Sequence, residues 1–279
     1  MENKTLAIIK ISLLSFIAFL LTIILIILLI NPKKSWNIFE LSSKSELVYE
    51  NKIEDNIKEI NVTTKAAAIE IKKSTKNYIE VKYYGEKDDK ELTLTKENQI
   101  LEINENKNYF CIGICNYAAH KIVISVPENY EYEINLKTTS GDINLEEINN
   151  QNLNIKTISG DVSVQKAENA KIETTSGDIE INEVNRLNAK SVSGEIIIKF
   201  LKSKCNLKTT SGDIEIDNLE LLDDSDITSI SGDIEINKNL GAYIKTETLS
   251  GEVNVENNDR YAKNELKIKT TSGDIEVEN

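Results

Sequence analysis

An all-β protein, a parallel β-solenoid of Ser-Gly-acid repeats with an irregular β section before it and one transmembrane helix at the front, is predicted by three features. A Ser-Gly-Asp or Ser-Gly-Glu motif recurs eight times, with steps of 19, 17, 17, 18, 20, 19 and 22 residues between successive glycines. Apolar and polar residues alternate on both sides of each copy. A nearly unbroken apolar run lies near the amino end. A fixed period near 20 residues, with one strand-turn-strand unit per repeat, is the mark of a stacked array.

The apolar run extends from Leu6 to Ile30, and the 20 residues from Ile11 to Ile30 match the ~20 needed to cross a bilayer core. Asn31-Pro32-Lys33-Lys34 follows, with no small-residue cleavage site, so residues 1–34 read as a tail and an uncleaved single-pass anchor. A short tail before a large domain favours placing that domain outside the cell, although Lys4 and Lys10 barely balance Lys33, Lys34 and Lys44. Residues 35–58 read as a juxtamembrane spacer, with Trp36 and Phe39 at the interface.

From residue 59 the pattern becomes short alternating runs: Ile60–Val62, Ile69–Ile71, Ile79–Tyr83, Leu92–Leu94, Ile100–Ile103 and Ile122–Val126, the last closed by Pro127. These are strands with one buried face. Residues 59–133 lack the motif and are expected to form an irregular cap section on repeats 134–279, since terminal units of arrays are atypical. Cys111 and Cys115 lie four residues apart within an apolar segment. An extended strand would hold them ~13 Å apart, beyond the ~7 Å a disulfide allows. A reversal at Gly113 would permit the bond; otherwise they are free thiols. Together with His120 they lack the paired spacing of a structural zinc site. Cys205 reads as a small core residue.

The repeat corners are Ser140-Gly141-Asp142, Ser159-Gly160-Asp161, Ser176-Gly177-Asp178, Ser193-Gly194-Glu195, Ser211-Gly212-Asp213, Ser231-Gly232-Asp233, Ser250-Gly251-Glu252 and Ser272-Gly273-Asp274. Period two places Leu153, Ile155, Thr157 and Ser159 inward, then Val162 and Val164 beyond the corner. Glycine suits a corner because it accepts positive φ and lets neighbouring turns approach. The aspartate is expected to bond nearby backbone amides, and the serines to form an internal hydroxyl ladder. Stacked acids could recruit cations, but the G-G-x-G-x-D pattern of calcium-binding repeats is absent, so no metal or other cofactor is expected. The last copy ends at Asn279, which predicts an open edge guarded by Glu276 and Glu278 and a route to self-association.

A net charge of −13 argues against nucleic acid as a partner. Enzymatic activity is not expected: there is one histidine, no nucleophile elbow and no phosphate-cradling glycine loop. At Ile122–Pro127, Tyr132–Leu145 and the iterated Ser-Gly-Asp rungs, the chain resembles the bacterial putative-adhesin domain family over about Ile57 to Asn279. That resemblance implies a β-repeat domain of a cell-envelope protein and carries no catalytic residue. Glu195 and Glu252 depart from the family's usual aspartate. The expected role is binding, adhesion or structure at the cell surface, with a wall polymer or another envelope protein as partner. The alternative is an accessory protein of an envelope-stress response acting on other membrane proteins.

Overall fold

The structure, a computed structural model, describes residues 45–86, 92–106, 120–147, 152–256 and 258–278. The apolar run Leu6 to Ile30 and the pair Cys111 and Cys115 lie outside the described residues. Among the described residues no helix is long and apolar enough to cross a membrane.

Strands β1 (Glu46–Ile53), β2 (Glu59–Thr63), β3 (Ala68–Ser74), β4 (Ile79–Gly85), β5 (Leu92–Glu97), β6 (Ile100–Glu105) and β7 (Lys121–Pro127) precede the motif region. The repeats contribute β8 (Glu133–Lys137), β9 (Ile143–Leu145), β10 (Asn152–Lys156), β11 (Val162–Glu173), β12 (Ile179–Lys190), β13 (Ile196–Lys208) and β14 (Ile214–Leu221). The chain closes with β15 (Ser225–Thr228), β16 (Ile234–Ile236), β17 (Ala242–Glu247), β18 (Val253–Val255), β19 (Asn264–Lys269) and β20 (Ile275–Val277).

Each rung is one strand before a corner and one after it, and rungs stack in parallel register. Leu153 pairs with Ala170, Ala170 with Leu187 and Leu187 with Cys205 before the corner. Ile143, Val162, Ile179, Ile196, Ile214 and Ile234 form the column after it. A third inward column, Ala167, Val184, Leu201 and Leu219, runs where the long strands bend. All of these residues are buried, and at about 25 cal/mol per Å2 of apolar surface the columns supply the main drive for stacking. The spread in repeat length has local causes. The 18-residue step absorbs its extra residue as a bulge opposite Val184–Arg186, where Ser203 adopts φ 76.

Rung order differs from chain order at both ends. The β2/β3 rung sits between β6/β7 and β8/β9, so an early unit is enclosed by later ones. At the other end β19 lies between β15 and β17, and β20 between β16 and β18. The last copy is therefore interior, and the edge belongs to β17/β18. This corrects the expectation of an open edge guarded by Glu276 and Glu278. The 22-residue step is the connection that carries the chain back over one place, tied by Asn258 to the Ile244 amide (2.8 Å) and carbonyl (2.7 Å). The outward jump uses Gly241 at φ +89, a backbone state that favours glycine, beside Asn239 bridging to Ala242.

The six strands anticipated between Ile60 and Val126 correspond to β2 to β7. Residues 46–53, read from sequence as spacer, instead form β1, which pairs antiparallel with β4. β4 pairs antiparallel with β7, and β5 with β6, closing that end of the stack.

Candidate functional site

The corner is built from inside outward by three contacts. A buried hydroxyl three residues before the glycine accepts the glycine amide at seven of the eight corners. Thr138, Thr157, Thr174, Thr209 and Thr270 do so at 3.0 Å, Ser191 at 2.9 Å and Ser229 at 2.7 Å. The internal hydroxyl ladder is thus made by this residue and not by the motif serine. Ser140, Ser159, Ser176, Ser193, Ser211, Ser231, Ser250 and Ser272 are all exposed. Period two fails here because the strand ends before the corner, so the residues at positions 158 and 159 both face outward.

The glycines stack backbone against backbone. A Cβ on Gly160 would lie 2.0 Å from the carbonyl oxygen of Gly141, and one on Gly177 2.0 Å from that of Gly160. The same approach, at 1.9 to 2.1 Å, holds for Gly194, Gly212, Gly232, Gly273 and Gly251. None of these glycines has positive φ, so close approach is what requires them. At the first rung Ala67 takes the glycine place, its carbonyl facing Gly141.

The acids tie neighbouring rungs. Asp142 Oδ1 accepts the Asp161 amide (3.1 Å), Asp161 that of Asp178 (3.0 Å), and Asp178 that of Glu195 (2.9 Å). Asp213 serves Asp233 (2.8 Å), Asp233 serves Asp274 (2.8 Å) and Asp274 serves Glu252 (2.7 Å). Glu195 makes no such bond to Asp213 among the described residues. Glu252 sits on the end rung, with no rung beyond it to serve.

The ladder ends in a buried carboxylate. Glu105 Oε2 accepts the amides of Lys65 (3.0 Å), Ala66 (3.3 Å) and Ala67 (3.2 Å), a backbone nest that sequence reasoning missed. Among the described residues the opposite end has no counterpart: Gly251 is exposed, and Thr248 Oγ1 is buried without a partner.

Beyond the corners, Asn61, Asn135 and Asn154 form an amide ladder with 2.8 Å steps. It leads to a shallow groove of about 380 Å3 lined by Asn154, Lys171, Arg186, Asn188, Lys204 and Asn206. On the other face Glu235 is pushed above the usual carboxylate range by burial and by Glu215, Glu276, Glu278 and Asp217 around it. Among the described residues, no group of three or more His, Cys, Asp or Glu side chains is disposed to hold a metal ion. His120 is buried, with Nδ1 3.0 Å from the Tyr83 hydroxyl. Cys205 is buried in the core, and burial pushes its thiol up to about 12.

No curated protein matches the chain. Among solved structures, a putative lipid binding protein from Parabacteroides distasonis is 19% identical, with TM-score 0.51, over 85% of this chain and 98% of that one. A putative adhesin from the same species is 15% identical, with TM-score 0.46, over 82% and 96%. A putative cell adhesion protein from Clostridium sporogenes is 14% identical, with TM-score 0.29, over 84% and 99%. The profile of the Toastrack DUF4097 family matches residues 57–279, and the chain belongs to that family.

Proposed function

We propose that this is a membrane-anchored cell-surface protein, a β-solenoid held outside the cell, whose rows of repeated side chains bind a component of the bacterial envelope. One observation carries the reading. Every rung presents its outward residues in register with the next, so the surface repeats along the stack as an extended polymer does. The apolar run before the domain supplies the anchor. Three buried titratable side chains support binding over catalysis, because each is engaged in holding the fold: Glu105 in its nest, Glu80 between Lys76 and Lys82, and His120 on Tyr83. The partner is a wall polymer or another envelope protein.

Protease added to intact cells tests the placement. Digestion of the β domain without opening the cells is the expected result, and protection until lysis would overturn the external placement. Binding of the purified full chain to isolated envelopes above background tests the role itself.

A further inference from the structure

The residue just before each motif serine faces outward, and the serine amides fix the order of this row. Each bonds the carbonyl of the row residue one rung away: Ser159 to Thr139 (3.0 Å), Ser176 to Ile158 (2.9 Å), Ser193 to Thr175 (3.0 Å), Ser211 to Val192 (2.9 Å) and Ser231 to Thr210 (2.9 Å). Ser272 then bonds Ile230 (3.0 Å), and Ser250 bonds Thr271 (3.0 Å). Along the stack the row therefore reads Thr139, Ile158, Thr175, Val192, Thr210, Ile230, Thr271, Leu249. Threonine and an aliphatic residue alternate without a break. In chain order the alternation fails, because Leu249 follows Ile230 directly. The exchanged order of the last two rungs restores it, so the pattern belongs to the assembled surface and not to duplication of a two-copy unit. The aliphatic members are open to solvent: Ile158 52%, Val192 47%, Ile230 49% and Leu249 86% exposed. Packing inside the fold does not account for them.

We infer that this ridge binds an extended, neutral β-1,4-linked glycan lying along the stack axis, with one disaccharide over each pair of rungs. The inference rests on the surface-binding reading above and names its ligand. A β-1,4 glycan turns each ring over relative to the last, so its geometric repeat along the chain is two sugars. The ridge repeats every two rungs, ~9.6 Å at a rung spacing of ~4.8 Å, a length suited to an extended disaccharide. Each aliphatic post offers its methyl groups to the C–H face of a ring, and each threonine offers a hydroxyl. The serine row alongside supplies donors and acceptors at every rung. The acid row beyond it adds carboxylates, the six aspartates each with a second oxygen besides the one holding a backbone amide. That acid row and the net charge of −13 disfavour anionic polymers. Four aliphatic posts span roughly 29 Å at this rung spacing, so affinity grows with glycan length until all are engaged.

The test uses the full chain in detergent micelles. Its probes are chitin and cellulose as β-1,4 polymers, amylose as an α-linked control, and soluble chito-oligosaccharides of increasing length. The expected result is retention on at least one β-1,4 polymer but not amylose, tighter binding of longer oligomers, and at least tenfold weaker binding by Ile158→Thr/Val192→Thr/Ile230→Thr with an unchanged melting curve. Ile158→Thr alone, expected to weaken binding less, serves if the triple variant is unstable. No retention on either β-1,4 polymer, or equal retention by the variants, overturns the inference. Isolated envelopes separate the two readings. Wild-type binding that the triple variant matches, or that protease treatment of the envelopes abolishes, overturns the glycan while surface binding stands. No wild-type binding to envelopes overturns both.

Discussion

The two ends of the stack use one device and finish it differently. At each, a rung stacks on a unit that is not its chain neighbour: β2/β3 between β6/β7 and β8/β9, and β19/β20 on β15/β16. At the first end, antiparallel β1, β4 and β5 cover the edges and Glu105 takes up the free corner amides. At the second, β17/β18 is left as a bare rung with Leu249 and Val253 exposed and Thr248 unsatisfied. Serine amides and aspartate carboxylates are completed across rungs, whereas the hydroxyl on each glycine amide comes from its own rung, and among the described residues that contact is missing only in the end rung. Enclosing β19/β20 between β15/β16 and β17/β18 places the open edge on β17/β18 instead of on the last copy.

Substitutions at glycine should give the largest effects and separate two reasons for the residue. Gly177→Ala places a Cβ 2.0 Å from a backbone carbonyl and should cost at least about 3 kcal/mol in thermal unfolding. Gly241→Ala meets nothing within 4 Å and should cost only about 1 kcal/mol, from its φ of +89. Equal losses would contradict the close-approach account.

Removing the nest carboxylate tests the closed end. Glu105→Ala orphans three backbone amides, Ala67's buried among them, and should cost about 2–3 kcal/mol.

Acid should act oppositely on two carboxylates. Hydrogen bonds from Lys82 and Lys76 hold Glu80 down at about 2, against 4.5 ordinarily, so its contribution is present above pH 4.5 and lost as pH falls toward 2. Glu80→Gln should remove about 1–3 kcal/mol at neutral pH and flatten the loss in that window. Glu235, raised by burial and its acidic neighbours, takes up a proton more readily when folded. Glu235→Gln should therefore stabilise slightly above its raised value, with the advantage vanishing as pH falls. Stability measured from pH 2 to 7 decides both.

The smallest effects contrast an interior corner with the end one. Thr174→Val strands the Gly177 amide and should cost about 1–2 kcal/mol, whereas Thr248→Val removes an unpaired hydroxyl and should be neutral or stabilising. A loss at Thr248 equal to that at Thr174 would show that the end corner is completed like the rest.

The columns and corners were legible because the signals are local. Alternation places Leu153, Ile155, Val162 and Val164 inward, and the Ser-Gly-acid motif marks each bend. Thr157 was correctly placed inside, but Ser159 was not, because the bend interrupts the period at residue 158. β1 was missed because an edge strand with mostly half-exposed residues carries little alternation. Rung order was not legible at all: every copy presents the same inward pattern, so any stacking order satisfies it. Its one trace was the 22-residue step, long enough to carry the chain back over a rung. The alternating ridge was hidden for the same reason, since it exists only in spatial order.

Residue-resolved amide hydrogen exchange tests that order most directly. With β20 enclosed between β16 and β18, the Ile275 and Val277 amides should be strongly protected although they lie within five residues of the chain end, while Val253 and Val255 on β18 exchange fast. If the terminal strand exchanges faster than β18, the last copy is the edge, and the exchanged rung order is wrong.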